Sequence, residues 1–361
     1  MSNSYLSSLQ VKSKWGDYEV IQSNIDDLEF RDNIFLVDDN QFIQDRIKKF
    51  SSNNLVFINS SEENKTLEYC SKLLVELASR GCRKDSTLIA IGGGVVQDLA
   101  TLVSSLYMRG IKWNFIPTTL MASMDSCIGG KSSINLNSFK NLIGNFYPPE
   151  SIFIDSTFAK TLSSVDIASG IAEGMKICFA KGQSEFQRFK ESIDGWRNSG
   201  NISLLDSATI ISLTAKKWFV EVDEFDLRER KLLNFGHSFG HALEAASSFE
   251  IPHGIGVLLG MKAAIFESGK EKVCAGLLEF INSELNYSEF SSVRVSISAE
   301  KFKTSLARDK KNSKDNQVLI LPDAQGKLEI VSRVLNSDAL DSCWRSQRRA
   351  LEESSIKIEV F

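Results

Sequence analysis

Histidine, proline and cysteine are scarce in this chain of 361 residues, at three, five and six copies, and each scarcity narrows the chemistry open to it. Five prolines exclude a collagen-like or polyproline composition. The cysteines, Cys70, Cys82, Cys127, Cys178, Cys274 and Cys343, form no CxxC pair and no regular spacing. That argues against a zinc knuckle or a disulfide framework and leaves reduced thiols. No apolar run reaches the roughly 18 residues of a membrane-spanning helix. The opening MSNSYLSSLQVKSKWGDYEV is polar and lacks the apolar centre of a signal peptide, so a cytoplasmic protein with no membrane partner is expected. Excess charge is also absent. A net −4, with 24% charged and 42% hydrophobic residues, speaks against disorder and against nucleic acid as a partner. An acidic chain that binds phosphate must do so in a local basic pocket.

What is present is a change of pattern along the chain. Up to residue 160, short β-rich runs (Asn33–Val37, Leu55–Asn59, Thr87–Ile91, Trp113–Ile116, Ile152–Ile154) alternate with helical patterns such as Gln41–Phe50 and Lys65–Arg80. Alternation of this kind predicts a parallel sheet covered on both faces. Beyond it, Ser164–Ala180, Leu204–Val222, Phe235–Ser247 and Gly254–Glu267 carry helical periodicity, with few β-rich runs before Val318–Leu321. The fold class is therefore α/β plus α, with domains at 1–160 and 161–361, and a solvated terminal helix after about Ser337.

Three segments carry candidate chemistry. In Thr87–Arg109 an apolar strand runs into Gly92-Gly93-Gly94 and then a helix. Such a turn lets backbone N–H groups approach a pyrophosphate, although a tight ligand-free connection has the same sequence. All three histidines fall between residues 237 and 253. His237 and His241 stand at i and i+4, on one helical face, and His253 opens the next helix. Clustered imidazoles suit a divalent metal or acid–base work, and Glu173, with Lys176 at i+3 in an apolar run, is the candidate carboxylate partner. The third segment, Met124–Tyr147, mixes Gly, Ser, Asn and Lys, and offers Asp125, Lys131 and Lys140, the lysines as phosphate ligands or as a solvated loop. For Cys127, inside it, the reading is a small buried residue.

The segments GGGVVQD, YMRG, PTT, MDSCIGGK, KNLIGNFYPP, AEGMK, LLNFGHSFGHALE, PHG and RDKK occur in this order. With them the chain resembles dehydroquinate synthase and the wider sugar phosphate cyclase family over roughly residues 30–325. The resemblance implies a Rossmann-like NAD-binding domain followed by a mostly helical metal-binding domain. It implies that Glu173, His237 and His253 hold a divalent metal, usually zinc, with cobalt possible, and that His241 faces the substrate, where spacing alone suggested a ligand pair. Lys131, Asn141, Lys176, Lys216, Arg230, Asn234 and Lys310 would line the substrate pocket, with Asp125 near the reacting hydroxyls. Arg109 would reach the phosphate of a neighbouring subunit's substrate, which implies a homodimer. For NAD it points to Gly93, Gly94, Asp98, Thr118, Thr119 and Lys140, with Glu62 and Lys65 as an ExxK element and Asp39 at the adenosine ribose.

The implied reaction is transient oxidation by NAD, phosphate elimination, reduction and intramolecular aldol closure, the chemistry of a carbon–oxygen lyase. Lys216 and Arg230 match the cations that hold a substrate carboxylate, which favours 3-deoxy-arabino-heptulosonate 7-phosphate and the shikimate pathway. Gln97 stands where the family has glycine, the loop at 134–138 differs, and LRERK replaces GLR, so a pathway-specific cyclase acting on another sugar phosphate is the alternative. A metal-dependent alcohol dehydrogenase is the nearest rival, but it has no need for so many cations.

Overall fold

The computed structural model describes residues 8–30, 33–50, 54–137, 139–290, 294–309, 312–354 and 356–360. Lys310, with its expected place in the substrate pocket, and Ser138 of the divergent loop lie outside the described residues. The chain divides into two compact units, Met1–Thr161 with Ser199–Glu224, and Leu162–Asn198 with Phe225–Phe361. The expected boundary falls at residue 160; the first unit also takes in Ser199–Glu224.

The first unit begins with strands β1 (Ser8–Val11), β2 (Tyr18–Gln22) and β3 (Ile34–Asp38), helix α1 (Gln41–Arg46), β4 (Leu55–Ile58) and α2 (Leu67–Ser79). It continues through β5 (Thr87–Gly92), α3 (Gly94–Leu106), β6 (Lys112–Pro117), an antiparallel pair β7 (Ile134–Leu136) and β8 (Phe139–Ile143), and β9 (Ser151–Ile154). Seven strands form one sheet in the order β1-β2-β9-β6-β5-β3-β4, parallel except for β1 against β2. The central strands are buried on both faces, and their alternate residues feed separate cores. Ile34 and Leu36 of β3 with Leu88 and Ala90 of β5 join one cluster, while Phe35 and Val37 with Ile89 and Ile91 join the other. Each of these larger side chains contributes roughly 1.5–3 kcal/mol by leaving water.

Helices α4 (Ser164–Lys181) and α5 (Gln183–Ser199) follow, then α6 (Ile202–Val222). Leu213 and Val220 of α6 are buried in the same cluster as α2 and α3, which is why this helix belongs to the first unit despite its place in the chain. Apolar periodicity shows that a helix has a buried face, not which core receives it.

The second unit holds α4 and α5 with α7 (His237–Ala246), α8 (His253–Ser268) and α9 (Ala275–Tyr287). After these come β10 (Arg294–Ile297), α10 (Ala299–Ala307), β11 (Asn316–Pro322), β12 (Leu328–Val334), α11 (Ser337–Glu352) and β13 (Lys357–Val360). Helix α8 is buried along nearly its whole length. It approaches α7 closely because glycines meet at the crossing. A Cβ on Gly240 would stand 2.8 Å from the Gly256 oxygen, and one on Gly260 2.1 Å from the Gly236 oxygen. The expectation of a solvated terminal helix is corrected: α11 buries Cys343, Gln347, Ala350 and Leu351, and Glu267 of α8 accepts from Arg333, Ser342 and Ser346 around it. Its charged residues occupy only one face, so composition alone hid the buried stripe. Among the described residues no helix is long and apolar enough to cross a membrane.

Candidate functional site

The second unit assembles its site on three helices. Glu173 and Lys176 lie one turn apart on α4, and both are almost fully buried. His237 is the first residue of α7, with His241 one turn on, and His253 is the first residue of α8. The ring nitrogens of the three histidines come within 4.8 Å of one another. Glu173 joins them from the buried side. Its Oε1 stands 3.4 Å from His253 Nε2 and 3.7 Å from His237 Nε2 and has no hydrogen-bond partner, while its Oε2 accepts from the Lys176 ammonium.

These distances test whether an ion fits. Ligand atoms at zinc bond lengths around one tetrahedral centre lie about 3.3–3.6 Å apart, close to what Glu173, His237 and His253 show. Both imidazoles also have the far nitrogen engaged. His237 Nδ1 is 3.3 Å from the Phe235 oxygen and His253 Nδ1 is 2.9 Å from Glu244 Oε1, so each Nε2 faces Glu173. A buried carboxylate oxygen without a donor, beside two oriented imidazoles, is a donor set suited to a divalent cation. Burial alone would depress the His253 imidazolium, but the negative charges of Glu173 and Glu244 beside it carry it up to about 10. Burial alone would raise Glu173, but the Lys176 charge and the His253 contact hold it below the usual carboxylate range. His241 is the exposed member of the group. Arg230 is buried just before α7, and Asn234 donates to the Lys231 oxygen at 3.1 Å.

The first unit gathers the expected dinucleotide residues other than Lys140 at one edge of its sheet. Parallel register puts the ends of β3, β4, β5 and β6 side by side, and the connections diverge between β3 and β5, where such sheets bind ligands. Asp39 follows β3, and Glu62 and Lys65 lie between β4 and α2. Gly93 and Gly94 open α3, and Thr118 and Thr119 follow β6. A Cβ on Gly93 would come within 3.0 Å of Thr119 Cγ2, while at Gly94 nothing lies within 4 Å, so space is open beside the first residue of α3. Asp98 accepts from Lys65 Nζ at 3.0 Å and from Ser133 N and Oγ at 3.0 Å each. Burial pushes its carboxyl up while Lys65 and Ser133 oppose that rise.

Elsewhere in this unit Lys216 of α6 is buried, and its Nζ lies 2.6 Å from Asp125 Oδ1. Lys131 Nζ sits 6.0 Å over the Phe146 ring. Lys140 and Asn141 lie exposed on β8, with Asn141 at a positive φ of 54°. Arg109 is exposed in a turn after α3, at φ 64°. Cys127 is buried, its thiol pushed up to about 12 by burial, as an inert packing residue.

Sequence reasoning gave no role to three residues used here. Ser133 holds Asp98, and Gln97 exchanges bonds with Ser126, donating to its oxygen at 2.7 Å and accepting from its hydroxyl at 2.5 Å. Glu244 stands seven residues after His237, on the same face of α7, and that spacing was the available signal.

Residues 55–169 match the family model described as 3-dehydroquinate synthase N-terminal, and residues 170–312 match 3-dehydroquinate synthase C-terminal. The 3-dehydroquinate synthase of Dictyoglomus thermophilum is 36% identical over 304 residues, covering 83% of this chain and 85% of that protein. Among solved structures, a 2-deoxy-scyllo-inosose synthase complexed with carbaglucose-6-phosphate, NAD+ and Co2+ aligns with a TM-score of 0.76 at 20% identity, over 95% of this chain and 99% of that one. The 2-epi-5-epi-valiolone synthase of Streptomyces hygroscopicus subsp. jinggangensis 5008, with NAD+ and Zn2+ bound, aligns with a TM-score of 0.76 at 21% identity, over 95% and 98%.

Proposed function

The chain belongs to the 3-dehydroquinate synthase family, and we propose that it converts 3-deoxy-arabino-heptulosonate 7-phosphate into 3-dehydroquinate and inorganic phosphate as a homodimeric lyase using NAD and one divalent ion, zinc or cobalt. The observation that carries the reading is the convergence of His237 and His253 on a Glu173 oxygen that has no donor of its own. Relatives with the same fold bind NAD with cobalt or zinc. Bound here, NAD would supply a reversible hydride acceptor, and the ion a positive charge beside an alcohol or carbonyl oxygen.

The protein's own groups do the rest. Glu173, His237 and His253 hold the ion, with Lys176 keeping Glu173 ionised through its second oxygen. His241, exposed beside them, meets the substrate and moves a proton. Asp125 orients the reacting hydroxyls, fixed in place by Lys216. Lys216 and Arg230 hold the substrate carboxylate, with Asn234 nearby in sequence; Lys131, Asn141, Lys310 and a partner subunit's copy of Arg109 hold the phosphate as it departs. The open start of α3 at Gly94, with Thr118 and Thr119, takes the dinucleotide phosphates; Lys140, Asp98, Lys65 and Glu62 frame that site, while Asp39 serves the adenosine ribose.

Oxidation followed by return of the hydride predicts turnover without net redox. Purified protein with NAD, zinc and the heptulosonate phosphate should release one phosphate per product with no standing NADH absorbance. Accumulating NADH would indicate a dehydrogenase instead, and phosphate release only from uncarboxylated sugar phosphates would reassign the substrate.

A further inference from the structure

We propose that Glu244 is the positioning residue of the metal centre, fixing the tautomer and aim of His253. The proposal rests on the metal assignment made under Proposed function. Glu244 Oε1 lies 2.9 Å from His253 Nδ1, and a carboxylate there accepts, so the ring proton sits on Nδ1. Nε2 is then the ring nitrogen left for an ion, 3.4 Å from Glu173 Oε1. His253 is thus gripped from both sides by carboxylates, one to orient it and one to share its ion.

The fold prepares this contact on both partners. Glu244 is held on α7 by its place in the helix, and its main-chain oxygen accepts from Phe249 N at 2.7 Å and Ser247 Oγ at 3.0 Å, which fixes the backbone that carries it. Across the helix crossing, Gly256 leaves room for the side chain. A Cβ at that position would stand 3.3 Å from both Glu244 Cγ and Oε1. One turn of α8 therefore supplies the ligand, His253, and the gap that admits its orienting partner. His237 needs no second carboxylate, because the Phe235 oxygen faces its Nδ1. An acidic partner raises the basicity of a metal-bound imidazole as well as aiming it, so removing it weakens metal binding by about 10–100-fold in comparable sites.

The test is zinc affinity of the full-length protein, measured by competition with a chromophoric chelator, for wild type, Glu244→Ala, Glu244→Gln and His253→Ala. Glu244→Ala is expected to weaken zinc by about 10–100-fold and to change the visible spectrum of the cobalt form, with the melting temperature of the metal-free protein little altered. Glu244→Gln keeps an acceptor oxygen and is expected to lose less than Glu244→Ala. In proton–nitrogen spectra of the zinc form, the His253 Nδ1 proton should be protected in wild type and exchange rapidly in Glu244→Ala. Zinc affinity within twofold of wild type in Glu244→Ala, while His253→Ala loses the ion, would overturn the role of Glu244 alone. Unchanged affinity in both would remove the metal assignment as well.

Discussion

Two clusters, one in each unit, treat buried charge in opposite ways. In the first, Asp98 is surrounded by Lys65 and Ser133, and Lys216 is paired with Asp125, so these charged groups satisfy one another. In the second, Glu173 gives one oxygen to Lys176 and keeps the other without a hydrogen bond between two imidazoles. A satisfied cluster is part of the fold whether or not a ligand arrives. A buried acceptor left unsatisfied costs free energy that a cation can recover. The contrast therefore separates residues that frame a site from residues that need an occupant.

Replacing an imidazole should break the contrast most severely. His253→Ala is expected to abolish metal retention and to lower kcat/KM by at least about 10³-fold, the equivalent of several kcal/mol of charge stabilisation, while NAD still binds. Elemental analysis after dialysis and steady-state kinetics check this, and ordinary turnover would refute the metal assignment. The satisfied cluster should respond in stability instead. Lys65→Met leaves Asp98 without its buried counter-charge and is expected to cost about 4 kcal/mol in urea unfolding. An unchanged midpoint would mean that the pair is not integral to the fold.

A third arrangement sharpens the comparison. Lys262, buried in α8, donates to Asn282 Oδ1 and Ser354 Oγ at 2.9 Å each, and burial pushes its ammonium down to about 8, against the pull of Glu353. The folded protein then binds fewer protons at this group than the unfolded chain between about pH 8 and its ordinary value near 10.5. Stability from Lys262 rises as pH rises through that window, by about 3 kcal/mol, and is lost as pH falls to 8. The difference in unfolding free energy between wild type and Lys262→Met, followed from pH 7 to 11, should show this slope, and a parallel pair of curves would exclude it. The smallest effect belongs to a neutral contact. Asn201 caps α6 by accepting from Ser203 N at 3.1 Å, and Asn201→Ala is expected to cost about 1 kcal/mol in chemical unfolding without touching metal affinity.

Much of this was legible in the residues. The five β-rich runs are strands, and the helices around the histidines begin within two residues of the expected positions. Their periodicities are strong because buried strands and amphipathic helices are selected position by position. The hairpin of β1 and β2 was not anticipated, since SLQV and YEVIQ mix polar and apolar residues at an edge of the sheet. Helix α1 stops at Arg46 rather than Phe50. Glu244 was quoted in its motif but given no task, because a carboxylate on a helix face has the same sequence whether it meets water or an imidazole.

The sequence by itself determined the alternation of strands and helices, the glycine turn after β5, and the placing of His237 and His241 on one helical face, all of which follow from local geometry. Only the tertiary structure decided that Glu173, from α4, meets histidines of α7 and α8, that one of its oxygens stays open, and that α6 packs with the first unit. Those outcomes depend on how closely helices can approach, which here rests on glycines facing each other across the α7–α8 crossing, and no periodicity within one helix encodes the distance to another.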